Sequence, residues 1–233
     1  MFKVFKKYTV SHRQKGMTIV ELLVAMVIFS IITGVVLFNY GDFNSSLTIQ
    51  NLADDIALTI RRAQSYAIGV RGSSGSFDIG YGVHFRVTEY NLENPNMLYS
   101  GSNKSFILFK RDSEQDTPKY EGVGDSCEDG SDCLEMLYIR STDEIESVSY
   151  TLSGGDDTML EENETLDIYF KRPNPEPRFC VASEESDICE IDATLIEEVK
   201  IVISSLKEPN NKKVIKVFNS GQISVSSYEE QTN

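Results

Sequence analysis

The sequence predicts an α+β protein in which a long N-terminal helix packs on an antiparallel β-sheet domain. Residues 17–38 are apolar with one formal charge, as in a membrane-spanning helix. Residues 39–71 space apolar residues by three and four, as on one helix face. Residues 72–233 change to alternating apolar and polar residues, which indicates strands. Because no crossover helix of useful length separates these strands, we expect antiparallel pairing.

The charge distribution predicts how the chain is oriented in a membrane. The chain has 36 acidic and 22 basic residues and a formal net charge of −14. Residues 1–16 carry +5 with no acidic residue, and removing that +5 from −14 leaves −19 on the remainder. A basic flank of an apolar segment stays in the cytoplasm, so we expect the acidic remainder outside it. An acidic domain repels nucleic acid, which disfavours a nucleic-acid partner.

The basic and apolar segments have two conventional interpretations. A cleaved secretory signal has a shorter apolar region followed by small residues, and residues 38–42 offer no convincing cleavage site of that kind. An uncleaved signal anchor fits the length better. The 22 residues from 17 to 38 reach about 33 Å as a helix at ~1.5 Å per residue, enough to cross the apolar core of a bilayer.

The junction of the two segments resembles a known processing signal. Gly16 precedes the segment Met17–Val24, whose fifth residue is Glu21. This arrangement resembles the class III signal of type IV pilins and type II secretion pseudopilins. In that family a membrane aspartyl peptidase cuts after the glycine on the cytoplasmic side and methylates the new amine. The resemblance implies that residues 1–16 are a cleaved leader and that Met17 becomes N-methylated, although phenylalanine is commoner at that place.

Glu21 is the one charge inside the apolar segment. A carboxylate within a bilayer is costly unless it is paired, so we expect a functional role. After cleavage, Glu21 lies one helical turn from the amine of Met17. Its carboxylate can pair with the amine of its own chain or with that of a neighbouring subunit. The second pairing sets the axial register of the two subunits, and the resemblance implies this assembly role. The alternative is a juxtamembrane carboxylate that offsets the positive N-terminus of the helix.

Four cysteines occur as two close pairs, Cys127 with Cys133 and Cys180 with Cys189. An even number at short spacing in a translocated domain predicts two local disulfides, since that compartment is oxidising. The alternative is a zinc site built from all four cysteines. Neither pair has the C-x2-C spacing, and the chain has two histidines, which favours the disulfides.

Alternating apolar and polar residues predict the strands. In the first, Tyr81–Val87, we expect His84 to be half-exposed and to have no role in a site. The other candidates are rich in β-branched and aromatic residues: Ser105–Lys110, Leu134–Arg140, Ser147–Leu152, Leu166–Lys171, Val199–Ser204, Lys213–Phe218 and Ile223–Ser226. A turn at residues 219–222 joins the last two into a hairpin.

Acidic loops separate some strands, at residues 125–132, 156–164 and 173–192. The first offers a weak calcium candidate made of four carboxylates, Asp125, Glu128, Asp129 and Asp132. Their spacing matches no EF-hand, so we interpret the segment as a surface loop and predict no cofactor. In the last loop, three prolines predict an exposed linker: Pro173, Pro175 and Pro177.

Shorter patterns resemble one subgroup of the same family. Residues 62–68 resemble the helix-end segment of H-type minor pseudopilins and of their pilus counterparts. Residues 81–83 and 221–225 are similar to the early strand and the last hairpin of that subgroup.

The sequence contains no recognisable catalytic motif, such as G-x-S-x-G, a Walker loop or H-E-x-x-H, so we expect a protein that is not an enzyme. The resemblance implies a minor pilin or pseudopilin that is processed by prepilin peptidase. It is then held as a single-pass protein in the lipid of the inner membrane, with its C-terminal domain outside the cytoplasm. Inner-membrane machinery assembles it with other subunits into a type IV pilus or a type II secretion pseudopilus. The alternative is a membrane-anchored extracytoplasmic binding domain that does not polymerise.

Overall fold

The computed structural model forms two compact units, Met1–Phe43 and Asn44–Asn233, here called the first and the second unit. It describes the following residues, without the side chains of 39–43: 16–69, 79–90, 100–112, 119–120, 127, 132–162, 164–171, 173–183, 186, 188–191 and 195–228.

One long helix, α1, runs from Ile19 to Ile68. The first proline of the chain is Pro95, so no residue in this segment lacks the amide hydrogen that a helix requires. The helix ends where Gly69 N donates to Ser65 O at 2.8 Å. In the first unit α1 is apolar on all sides. Among the described residues, Ile19–Phe38 is the segment long and apolar enough to cross a membrane, with a mean hydropathy of 2.7.

The described part of the second unit contains strands in two antiparallel sheets. The strands are β1 (Ile79–Arg86), β2 (Ser105–Asp112), β3 (Cys133–Tyr138), β4 (Asp143–Leu152), β5 (Asp157–Met159), β6 (Glu164–Phe170), β7 (Pro177–Ser183), β8 (Ile196–Ser205), β9 (Lys212–Phe218) and β10 (Ile223–Ser227). Sheet 1 has the order β3-β2-β1-β6-β7, and sheet 2 has the order β10-β9-β8-β4-β5. The predicted α+β class and the antiparallel pairing are confirmed, and the strands form two sheets where the sequence predicted one.

Two strands lie in segments that the sequence predicted to be loops. Strand β5 has three exposed residues, too few to show a period. Strand β7 begins at Pro177, which is buried, so the predicted exposed linker ends before this residue. A proline is tolerated here because the first residue of a strand need not donate to its neighbour.

The core of the second unit lies between α1 and both sheets. The helix contributes a buried stripe: Ile49, Leu52, Ala53, Ile56, Ala57, Ile60, Ala63 and Ala67. This stripe packs in one cluster with residues of both sheets, among them Phe85 of sheet 1 and Ile201 of sheet 2. Burying a large apolar side chain stabilises the fold by about 1.5–3 kcal/mol, so this stripe holds α1 against the sheets.

Polar contacts at the end of α1 connect the helix to the turns that precede β7 of sheet 1 and β10 of sheet 2. Gln64 Nε2 donates to Pro175 O at 2.8 Å and to Gly221 O at 3.1 Å. Gly221 has φ +83°, and a Cβ atom there would lie 2.6 Å from Pro175 O. A side chain at this position would be both strained and sterically blocked, so the close approach of the two turns requires glycine.

The second face of sheet 1 is also buried, which corrects the prediction for His84. This side chain is 3% exposed and not half-exposed. Its Nδ1 lies 2.7 Å from Asp167 Oδ1, and its Nε2 lies 3.2 Å from Ser100 O. Tyr120 N donates to the other oxygen of Asp167 at 2.9 Å. Alternating apolar and polar residues in β1 indicate that one face of the strand is polar. They do not show that residues distant in the sequence cover that face.

A smaller apolar cluster lies beside this polar pair on the same face of sheet 1. It contains Ile107, Phe109, Tyr120, Cys133 and Tyr169. Burial, with the nearby charges of Asp132 and Asp167, raises the pKa of Tyr120 to about 12. The phenol is therefore neutral at ordinary pH and packs as an aromatic side chain.

Both cysteine pairs form disulfides, Cys127–Cys133 and Cys180–Cys189, as the spacing predicts. Cys133 lies in β3 and Cys180 in β7, the two edge strands of sheet 1. Each bond stabilises the fold by about 2–3 kcal/mol on the loop-entropy estimate. Because the sulfurs are bonded to each other, they are not the thiolate ligands that the zinc alternative requires.

Candidate processing and assembly site

The candidate cleavage bond lies just before α1. Gly16 and Met17 have no regular secondary structure, and both are exposed. A Cβ atom at Gly16 would meet no other atom within 4 Å, and Met17 is 60% exposed. A peptidase needs an accessible peptide bond outside a helix, and the bond between these residues meets that requirement.

Thr18 caps the helix, a role that the sequence analysis missed. Glu21 N donates to Thr18 Oγ1 at 3.2 Å, and Leu22 N donates to Thr18 O at 3.1 Å. The first bond satisfies an amide group that the first turn of a helix otherwise leaves unpaired, and the second is the first backbone bond of the helix itself. The signal was present in the sequence, because Thr18-Ile19-Val20-Glu21 has the T-x-x-E spacing of a capping box followed by an apolar segment.

Glu21 lies in the first turn of α1 and its side chain is exposed. The positive N-terminal end of the helix favours a carboxylate at this position. The helix begins at Ile19, whereas the sequence predicted a helix from Met17. The cap explains the difference, because Thr18 is the N-cap residue and the first helical residue therefore is Ile19. In the uncut chain Met17 carries an amide, so the charge that would pair with Glu21 arises only on cleavage.

The apolar side chains that follow Glu21 lie open on every side of the helix. All large ones from Met17 to Phe38 are exposed, from 47% at Leu22 to 88% at Phe38. Ser30 Oγ donates to Met26 O at 2.9 Å, so this hydroxyl is satisfied within the helix. A contiguous apolar surface of this kind requires lipid or another protein to cover it.

The calcium candidate lies mostly outside the described residues. Asp125, Glu128 and Asp129 are not among them, and Asp132 is. In the part of the chain that the structure describes, no three His, Cys, Asp or Glu side chains lie close enough together to hold a metal ion. The calcium site stays a prediction.

Comparison with known families identifies the N-terminal segment. Residues 11–37 match the prokaryotic N-terminal methylation motif. The matched segment contains Gly16, Met17, Thr18 and Glu21, and it confirms the resemblance of this segment to that of type IV pilins and pseudopilins. The match covers 27 of the 233 residues, so it identifies the start of the chain and leaves the second unit to be interpreted from its own geometry.

Comparison with solved structures gives a distant likeness. The chain is similar to the crystal structure of the Pseudomonas aeruginosa type IV minor pilin FimU, with 11% identity and a TM-score of 0.35. The likeness covers 81% of this chain and 92% of that chain. No curated protein sequence matches the chain.

Proposed function

We propose that the chain is a structural subunit, a minor pilin or pseudopilin, that is cut by a prepilin peptidase and assembled into a type IV pilus or a type II secretion pseudopilus. One observation carries the proposal. The N-terminal methylation motif of residues 11–37 coincides with the first part of α1, where all large apolar side chains up to Phe38 are exposed. The motif marks a bond to be cut, and the exposed helix needs lipid before assembly and other subunits after it.

The proposed order of events follows from charge. The basic residues 1–16 hold the leader in the cytoplasm, and residues 17–38 cross the inner membrane. The acidic second unit then lies outside the cytoplasm, in a compartment where its two disulfides can persist. The peptidase cuts between Gly16 and Met17 and methylates the amine of Met17.

Glu21 acts when subunits assemble. Cleavage gives Met17 a positive amine close to the exposed carboxylate of Glu21. Within lipid, that carboxylate gains most from a positive partner, and a neighbouring subunit can supply one. Pairing across subunits fixes how far one subunit lies along the axis from the next. The cap at Thr18 supports this role because it holds the first turn, and with it Glu21, in helical geometry.

The state of the N-terminus tests the proposal. The protein is purified from host membranes with and without the peptidase gene, and its intact mass and N-terminal sequence are determined. We expect a chain that begins at N-methylated Met17 when the peptidase is present and at Met1 when it is absent. A chain that begins at Met1 in both strains contradicts the proposal and supports the non-polymerising membrane anchor.

The type of machine needs a separate experiment. Deleting the gene and measuring surface pili and secreted proteins separates a pilus subunit from a pseudopilus subunit. Labelling purified filaments for this chain then shows its abundance and position. The assignment to the H-type subgroup stays a prediction.

A further inference from the structure

A buried pair of titratable side chains, His84 and Asp167, lies on the face of sheet 1 that is turned away from α1. The two residues are directly opposite each other on β1 and β6. Their side chains are 4% and 0% exposed. A buried polar atom without a hydrogen-bond partner is costly, so the chain itself has to satisfy both groups.

Both ring nitrogens of His84 face oxygen atoms that accept hydrogen bonds. Nδ1 lies 2.7 Å from Asp167 Oδ1, and Nε2 lies 3.2 Å from Ser100 O. A neutral imidazole has one N–H group, so one of its nitrogens would set a lone pair against an oxygen. The imidazolium has an N–H group on each nitrogen and satisfies both contacts. The geometry therefore calls for a proton on each nitrogen of the ring.

The surroundings of Asp167 favour its charged form. Tyr120 N donates to Asp167 Oδ2 at 2.9 Å, while the ring of His84 faces Oδ1. A carboxylate that receives a donor on each oxygen is stabilised over the neutral acid. The 2.7 Å contact also has the length of a charge-assisted hydrogen bond. The shared proton therefore belongs to the ring, and the pair is an imidazolium and a carboxylate.

Other titratable or charged side chains lie on this face or on the segments packed against it: Arg86, Arg111, Lys119, Tyr120, Asp132 and Cys180. Cys180 is bonded to Cys189, and Tyr120 is neutral because burial raises its pKa to about 12. Arginine, lysine and aspartate ordinarily titrate outside the range from about pH 6 to 9, whereas histidine titrates near pH 6.5. Among the described side chains of this face, the pair is therefore the group whose protonation changes in that range.

The imidazole ring is enclosed on both sides. Its centroid lies 5.0 Å from that of the Tyr120 ring. On another side, a Cβ atom at Gly101 would lie 2.9 Å from two atoms of the imidazole. A ring that loses a proton therefore has no room to turn its bare nitrogen away from the facing oxygen. The loss weakens the contact of sheet 1 with Ser100 or with Asp167.

We propose that His84 and Asp167 form a buried proton-binding site, which keeps the imidazolium in the folded chain at pH values where an exposed histidine is neutral. The unfolded chain releases this proton to water near pH 6.5. Stability is therefore complete below that pH and falls as the pH rises, until the folded pair also loses its proton. The folding equilibrium constant falls at most tenfold per pH unit, because one proton is involved. This inference does not depend on the proposed function.

Nuclear magnetic resonance of the histidine ring tests the site directly. His12→Ala in the full-length chain leaves His84 as the one histidine, so isotope-labelled histidine in detergent gives the ring signals of one residue. We expect both ring nitrogens to carry a proton in the folded chain at about pH 7.5. The same chain unfolded in urea should have a mostly neutral ring at that pH. A folded ring with one unprotonated nitrogen overturns the proposal.

The variant Asp167→Asn tests the effect on stability. Its amide can donate to Nδ1 and accept from Tyr120 N, so a neutral ring with a proton on Nε2 satisfies every partner. We expect a neutral ring at about pH 7.5 in this variant. Its urea midpoint should not fall between about pH 6 and 8.5, whereas that of the unmodified chain should fall.

Asp143→Asn is the matched control for this measurement. Asp143 is also buried, at 1% exposed, and its Oδ2 accepts from Ser141 Oγ at 2.8 Å. This variant should keep the pH dependence of the unmodified chain. The same pH profile in both variants contradicts the proton-binding site. If Asp167→Asn does not fold, the ring signals of the chain that keeps Asp167 still decide the question.

Discussion

The two parts of α1 use apolar residues in opposite ways. In the first unit, large apolar side chains are exposed on every side of the helix. In the second unit, apolar side chains form one buried stripe, in which Ile56 and Ile60 are 0% exposed. A helix that is apolar all round needs an apolar environment, whereas a striped helix finds its partner in its own chain. The distribution of apolar residues, more than their number, therefore decides what each part of the helix depends on.

The largest effect is expected in the first unit, where α1 depends on other molecules to cover its apolar side chains. Gly16→Leu should abolish cleavage, because the peptidase acts at the glycine, while the fold is unaffected since a side chain at Gly16 meets open space. Intact mass of the membrane protein measures this. Gly34→Ala is the matched control, because Gly34 also has open space around it, and it should be cut normally. Normal cutting of Gly16→Leu would argue against the assigned bond.

The second prediction concerns Glu21. Glu21→Ala should leave cleavage and membrane insertion intact but prevent incorporation into filaments, because the amine of the neighbouring subunit loses its partner. The measurement is the amount of the variant in sheared filaments relative to membranes, with Glu21→Asp as the variant that keeps the charge. If Glu21→Ala is incorporated as well as the unmodified chain, the carboxylate has no role in assembly.

The third prediction contrasts the two parts of the helix directly. Ile56→Ala should lower the free energy of unfolding of the second unit by about 2–5 kcal/mol, because it leaves a cavity in the core. Ile28→Ala should leave it unchanged, since Ile28 is 52% exposed in the first unit. Urea unfolding of the detergent-solubilised chain, followed by tyrosine fluorescence, measures both. Equal losses would show that the two parts of the helix contribute alike to the stability of the second unit.

A smaller effect is expected at the cap. Thr18→Ala should destabilise the start of α1 by about 1 kcal/mol, because the amide of Glu21 loses its acceptor. Amide hydrogen exchange in detergent should then become faster in the first turn. Ser30→Ala is the control, because the hydroxyl of Ser30 binds a carbonyl that the helix already uses. Unchanged exchange at the amide of Glu21 would rule out the cap.

The smallest effect concerns an ion pair on the surface of sheet 2. The hydrogen bond from Lys200 holds the pKa of Asp157 below its ordinary value of 3.8, with help from Thr151. A carboxylate with a lowered pKa adds stability that is complete above that ordinary value and is lost as the pH falls through the lowered pKa. The effect is small because the side chain of Asp157 is 45% exposed.

The free energy of unfolding, measured between pH 6 and about pH 2 to include the usual carboxylate range, reports this contribution. Asp157→Asn should remove a small part of the pH dependence of the free energy of unfolding. Asp156→Asn changes the neighbouring exposed carboxylate and serves as the control. An identical pH profile for the two variants would show that the ion pair contributes nothing.

The parts of the fold that sequence predicts are those with a local signal. The helix, the strands of sheet 2 that alternate in burial and both disulfides follow from spacing alone. Strand β7 does not follow from the sequence, because Pro173, Pro175 and Pro177 together resemble a linker. The strand forms through its pairing with β6, which local spacing does not show. His84 was misplaced for the same reason, since Asp167 lies 83 residues away.

The candidate site shows the same division. Gly16, Met17 and Glu21 are recognisable because a basic leader, a glycine and an apolar segment occur next to one another. The cap at Thr18 is equally local, because the T-x-x-E spacing of residues 18–21 is a helix-start signal. The buried stripe of α1 is local as well, because the spacing of its apolar residues by three and four predicts the helix face that packs on the sheets.

The contacts at the end of α1 have a consequence for the order of folding. Arg61 and Gln64 bind carbonyl groups of Ile223 and Gly221, which are 162 and 157 residues further along the chain. A ribosome makes the helix first and these partners last, so the buried stripe stays uncovered through most of synthesis. Contacts between such distant residues also form slowly, because the long loop must close first. The second unit therefore completes its core late, once the final hairpin has emerged.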